Sequence, residues 1–154
     1  MSINRNAPAE YLGAGDPALK HYYPVWLDNM ADNATVEGSM LDGAIQGAEA
    51  VRSVVLAIRS FYDRQEFKFA GPYSADGFLE DYVAEVRGEP LGCVVLVTRN
   101  AAGQTQHVVA SYRPRSSLLR FASLLSERFA GTPIADHFTA IELRSRPNEA
   151  VALP

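Results

Sequence analysis

The sequence predicts an α+β fold in which helices come first, a run of strands follows and a helix closes the order. Three observations predict it. Apolar residues recur at helical spacing over residues 19–30 and again over 51–62. The next four segments, "EFKFAGPYS", "GFLEDYVAEVRG", "PLGCVVLVTRN" and "QTQHVVASYRP", are rich in β-branched and aromatic residues and separated by turn signals. Helical spacing then returns with Leu118, Phe121, Ala122, Leu125 and Phe129. With 154 residues, 47% of them hydrophobic, the chain has the material for one domain with its own core.

The elements follow in order. Asp16 can cap the free N–H groups of a first helix and Pro17 suits its first turn. Leu19, Tyr22, Tyr23, Trp26, Leu27 and Met30 form its stripe, Pro24 kinks or splits it, and "ADN" ends it. Thr35–Leu41 alternates loosely and reads as a strand. Gly47 opens a second helix with Val51, Val54, Val55, Ile58, Phe61 and Tyr62 on one face and Arg52, Arg59 and Asp63 elsewhere. Turns at 75–77, 88–90 and 100–103 make the four strands an antiparallel meander. "PLGCVVLV" is so apolar that it belongs between two covered faces or at an interface. Arg113-Pro114 ends the last strand, Ser116 or Ser117 caps the last helix, and Gly131 stops it. A strongly bent sheet around a helical layer encloses a cavity, and its convex face needs a cover such as a second subunit. The organisation expected is an arm over 1–15, one domain over 16–131 and a tail over 132–154.

Composition narrows the function. Acidic residues outnumber basic ones 18 to 14, which suits nucleic acid poorly. Arg113, Arg115, Arg120 and Arg128 gather near the last helix and read as a solvated face. No charge-free apolar run reaches the roughly 20 residues that span a bilayer, and the first residues carry no signal-type stretch, so a cytoplasmic protein is expected. The lone Cys93 excludes an intrachain disulfide, and in the most apolar strand it reads as a buried structural thiol. His21, His107 and His137 have no metal-ligand spacing, and the glycines form no phosphate loop, so neither metal nor cofactor is expected.

The segments "ADNATVEG", "QGAEAVRSVV", "RGEPLG" and "NAAGQTQHVVASYRP", in this order, resemble the nuclear transport factor 2-like (SnoaL-like) superfamily over roughly residues 16–130. It includes ketosteroid isomerases, limonene-epoxide hydrolases and polyketide cyclases. The resemblance implies a conical barrel, a strongly bent antiparallel sheet wrapped around N-terminal helices with an added C-terminal helix, holding an apolar pocket and commonly dimeric. It implies no single reaction. Ketosteroid isomerases carry a carboxylate base directly after "ATVE" and a protonated Asp on the sheet; the matching positions here are Gly38 and Val95, so both acids are missing. Neighbours on a strand face opposite ways, so Glu37 points away from the pocket if Gly38 points into it. The Arg-x-Asp pair of the epoxide hydrolases falls on Phe78-Leu79-Glu80, and their final Asp near Ser111. One carboxylate survives there, as Glu80 or, one residue out of register, as Asp81.

The remaining candidates for chemistry are therefore Glu80 or Asp81 as an inward carboxylate and His107 as an acid–base group on the face of Val109 and Ser111. Tyr22, Tyr23 and Trp26 from the first helix, with Gly38, Met40, Phe69, Tyr82, Val95 and Ser111, are expected against a ligand; Phe67 and Tyr73 join Phe69 and Met40 in cavity or core. Two functions fit this set. One is acid–base catalysis, of isomerase, hydrolase or cyclase type, on a small apolar oxygenated ligand. The other is a non-catalytic ligand-binding or dimerisation module on the same cone.

Overall fold

The computed structural model describes residues 23–138. Asp16, Pro17, Leu19 and Tyr22 of the expected first helix, and the tail beyond Phe138, lie outside them. A short 3-10 helix, Val25–Asp28, follows Pro24. The strand β1 then starts at Met30 and runs to Gly38, with β2 over Ile45–Gln46. The helix α1 spans Ala48–Ser60. The meander is β3 (Arg64–Pro72), β4 (Gly77–Val86), β5 (Glu89–Arg99) and β6 (Thr105–Arg113). The helix α2 spans Arg115–Arg128, and a 3-10 turn covers Pro133–His137. No helix among the described residues is long and apolar enough to cross a membrane.

The first correction concerns residues 30–33. Met30 and "ADN" continue no helix; they open β1. Among the described residues, the spacing from Tyr23 to Met30 reads as helical because Trp26 and Leu27 are buried from a 3-10 turn, where three-residue periodicity also holds. The second concerns the sheet, which is mixed rather than wholly antiparallel. It is curved and open, in the order β2-β1-β6-β5-β4-β3, and β1 runs parallel to β6. The third is the cap of α2: Pro114 precedes the helix, no side chain caps it, and Ser117 lies inside the first turn.

Strand alternation sorts the sheet into an inner and an outer face, and register stacks the inner face in rows. Val36, Val108, Val97 and Phe78 are partners across four strands, all buried. The next row is Gly38, Ala110, Val95, Glu80 and Ala70, and the third is Tyr112, Cys93, Tyr82 and Phe67. Large residues fill the first and third rows. The middle row is built mainly of small ones, so space is left there.

A bulge shapes the far end of β3. Phe67 pairs with Tyr82 but Phe69 pairs with Asp81, so Lys68 is the extra residue. Adding one residue exchanges the faces beyond it. Phe67 is therefore buried whereas Phe69 is 48% exposed on the outer face, and Tyr73 is exposed too. The expectation that Phe69 and Tyr73 line the cavity is corrected accordingly.

Val51, Val54, Ala57 and Ile58 of α1 press into the concave side. Helix α2 crosses it further along, driving Phe121 edge-on against Phe61 and Tyr112, with ring centroids 5.8 and 6.2 Å apart. The chain after α2 returns to the body: Phe138 stacks on Phe129 at 5.9 Å, and Asp42 N–H donates to His137 O at 2.8 Å.

Candidate active site

The middle row opens into a cavity of about 40 Å³. Its sheet side is Val36, Val108, Ala110, Val95, Glu80, Tyr82, Tyr112 and Gln65; its other side is Pro24, Trp26, Val55, Ile58 and Arg59. Such a volume accommodates one to a few water molecules, each needing roughly 10–15 Å³ by this measure.

Glu80 is the buried carboxylate of this wall, 2% exposed. Even-numbered residues of β4 turn inward, so the choice between Glu80 and Asp81 resolves to Glu80. The Trp26 indole N–H donates to Glu80 Oε1 at 2.9 Å. Trp26 is itself pinned, because Thr105 Oγ1 donates to its carbonyl at 2.9 Å and Arg52 Nη2 to the carbonyl of Leu27 at 2.5 Å. A buried acceptor in a dry wall gains most from such fixed donors. Asp81, one residue on, faces outward and pairs with Arg113 at 3.2 Å, its side chain 35% exposed.

The third row supplies hydroxyls. Tyr82 and Tyr62 share a hydrogen bond at 2.7 Å, and Tyr62 donates to Tyr112 Oη at 3.5 Å. Burial raises the pKa of all three phenols above the usual tyrosine value, so near neutral pH they are donors, not phenolates. Cys93, between Tyr82 and Tyr112 in register, is buried, and desolvation pushes its thiol up to about 12. It is a neutral thiol in the core, unsuited to nucleophilic attack.

Gly38 stands beside Ala110 in the middle row. A Cβ built on it meets the Ala110 carbonyl oxygen at 1.9 Å, and its φ is +156°. The close approach of β1 to β6 requires the absence of a side chain there. Val95, the second position at which the resemblance expects an acid, is inward and directly opposite Glu80. Three positions at which the resemblance sets carboxylates thus share one row, and Glu80 alone carries one.

Other expected residues lie elsewhere. His107 and Ser111 do share the face of Val109, but that is the outer face, because Val108 and Ala110 take the inward positions of β6. His107 is hydrogen-bonded through Nδ1 to Thr35 Oγ1 and lies 3.1 Å from Glu37 Oε1 through Nε2, with its side chain 37% exposed. It does not converge with Glu80. Glu37 points out, as alternation requires. Tyr23 donates to Asp28 Oδ1 at 2.7 Å and does not border the cavity. Met40 is buried under a neighbouring void of about 10 Å³ that shares Val36, Ile58, Ala110 and Tyr112 with the cavity.

Sequence reasoning missed Arg59, Gln65, Tyr62 and Tyr112. Arg59 follows Ile58 and lies four residues after Val55, at the edge of the apolar stripe; its long side chain reaches round to the cavity, where Nη2 donates to Gln65 Oε1 at 3.5 Å. The signal for Tyr112 is its place two residues beyond Ala110 on the inward side of β6. Among the described residues no group of three His, Cys, Asp or Glu side chains is placed to hold a metal ion.

No family model matches the chain, and no curated protein matches it significantly. Solved structures do. An uncharacterized bacterial protein with a cystatin-like fold from Silicibacter pomeroyi aligns at a TM-score of 0.63 and 13% identity, over 68% of this chain and 74% of that one. A steroid delta-isomerase from Pseudomonas aeruginosa aligns at 0.62 and 14% identity, over 68% and 77%. A de novo designed protein with a curved β-sheet aligns at 0.52 and 15% identity, over 63% and 78%. The curved six-stranded sheet, the helices packed in its concavity and these likenesses agree: the chain is built as a nuclear transport factor 2-like cone.

Proposed function

We propose that the protein binds a compact, largely apolar, oxygen-bearing small molecule in the cone and acts on it by acid–base chemistry through Glu80. One observation carries this reading: a single carboxylate, 2% exposed and held by an indole N–H, borders a cavity whose other walls are apolar side chains, two phenols, Arg59 and Gln65. Glu80 serves as the base that takes a proton from a bound water or an activated carbon, or as the acid that returns it. Tyr82 and Tyr112, kept protonated by burial, donate to the oxygen where charge develops. Arg59, on the facing wall, brings a cation to the same lining. Steroid-type isomerisation through a base at position 38 is not part of the reading, since Gly38 admits no side chain. A ligand larger than the 40 Å³ cavity requires the helical wall to yield, joining it to the void over Met40.

A second reading, a non-catalytic module that carries a ligand or pairs subunits, draws support from the small cavity and from the distance between the faces that hold Glu80 and His107. Its surface is the outer face, where Leu79, Val83, Val94, Leu96 and Val109 remain partly exposed beside Phe69. A homodimer through this face is part of both readings; Leu96→Glu is expected to convert it to monomer in light scattering.

Native mass spectrometry of the purified protein against a library of small oxygenated compounds identifies ligands, and activity is then assayed on each. Glu80→Gln keeps the shape of the wall and removes the base. Retained binding with activity lowered at least a hundredfold supports catalysis. Binding without turnover by the wild type supports the second reading, and turnover unaffected by Glu80→Gln overturns the first.

A further inference from the structure

A separate pocket of about 220 Å³ lies outside the cone, between the β4–β5 turn and α2. Its floor is Val86 and Leu91 from the hairpin and Phe121 and Leu124 from the helix. Two guanidinium groups border it. Arg87 sits in the turn itself, held at φ +50° with its backbone N–H donating to Asp63 Oδ2 at 2.8 Å, and its side chain has no ion-pair or hydrogen-bond partner among the described residues. Arg120 reaches across from α2 and pairs with Glu89 at 2.5 Å. Ser117 contributes a hydroxyl to the same wall. It is 5% exposed, begins no cap and has no side-chain hydrogen bond among the described residues.

We infer that this pocket is a binding site for a small organic monocarboxylate with a compact apolar body. The apolar floor takes the body, as it excludes water without offering a polar partner. Arg87 takes the carboxylate, with Ser117 as a neutral donor to it. Glu89 competes for Arg120 and so tunes the affinity: two cations face one anion at the rim, and the incoming carboxylate balances the charge. Phe121 closes the inner side of the pocket against the tyrosine row, so this site is distinct from the cavity of Glu80.

The test uses 3-phenylpropanoate and its uncharged analogue 3-phenylpropanamide, titrated calorimetrically into the full chain. The carboxylate is expected to bind about tenfold more tightly than the amide, with the difference shrinking as salt is raised. Arg87→Gln is expected to weaken the carboxylate about fivefold and leave the amide unchanged. Glu89→Gln, which releases Arg120, is expected to strengthen the carboxylate, a gain that misfolding cannot imitate. Glu80→Gln is expected to leave both probes unaffected. Equal affinity for the two probes, no binding of either, or no response to Arg87→Gln overturns the proposal. Loss of carboxylate binding in Glu80→Gln overturns it as well, by placing the ligand in the cone.

Discussion

Glu80 and Asp81 are consecutive carboxylates of one strand, yet they belong to different physical regimes. Glu80 lies on the concave face, with a fixed donor from Trp26 and walls that admit little water. Asp81 lies on the convex face in a solvated pair with Arg113. On the convex face, too, His107 joins Thr35 and Glu37 across two strands in the open. The composition of a site is therefore decided by alternation before chemistry: a strand offers half its residues to the interior, and only those meet a low dielectric where a single charge matters.

The largest effect is expected at Gly38, on the concave face. Gly38→Asp, which would return an acid to the position the resemblance assigns to a base, is expected to destabilise the fold by more than about 3 kcal/mol, because its Cβ collides with the Ala110 carbonyl. Chemical denaturation measures it, and a stable variant would mean that β1 and β6 separate easily. Next comes Glu80→Ala. It leaves the Trp26 N–H without its acceptor and enlarges the cavity, at a cost of about 2 kcal/mol; a stability unchanged from the wild type would place the two groups out of contact.

Tyr82→Phe comes third. It removes the bond to Tyr62 at about 1 kcal/mol by denaturant titration. The same row makes a pH prediction. Cys93 holds its proton up to about 12 in the folded state and up to about 9 when unfolded, and the buried phenols shift in the same direction. The folded state therefore binds more protons above pH 9. Stability from these groups is full below that value and is lost as pH rises from about 9 towards 12. Melting temperature followed from pH 8 to 11 should fall, and Tyr82→Phe should flatten part of the fall. The smallest effect belongs to the convex face: Asp81→Asn should cost under about 1 kcal/mol, and raised salt should shrink even that.

How much of this is legible in the sequence depends on how local the cause is. Helix α1, the three hairpins and α2 are legible because each rests on its own spacing and turn residues. That position 38 carries no side chain is legible from "ATVEG", but the reason none fits there is not, since it is the Ala110 carbonyl of a strand far along the chain. The shared face of His107, Val109 and Ser111 is legible; which side of the sheet it becomes is not, because β6 carries apolar and polar residues on both parities. The exile of Phe69 is illegible for a similar reason: a bulge at Lys68 leaves no mark in "EFKFAG". Arg59 hides at the border of an apolar stripe, where a long side chain can turn either way.

The parallel seam between β1 and β6 has a consequence in time. The meander strands pair with their neighbours in sequence, but β1 borders β6, and Trp26 is bound by Thr105, 79 residues later. A chain leaving the ribosome makes β1 first and its main partner last. Until residue 113 emerges, that strand has only the two residues of β2 to pair with, and Trp26 lacks the contact that aims it at Glu80. Local hairpins form early and this long closure comes late. The pocket is thus closed only after the meander has emerged, and synthesis that stalls within β6 yields a nearly whole sheet with no site in it.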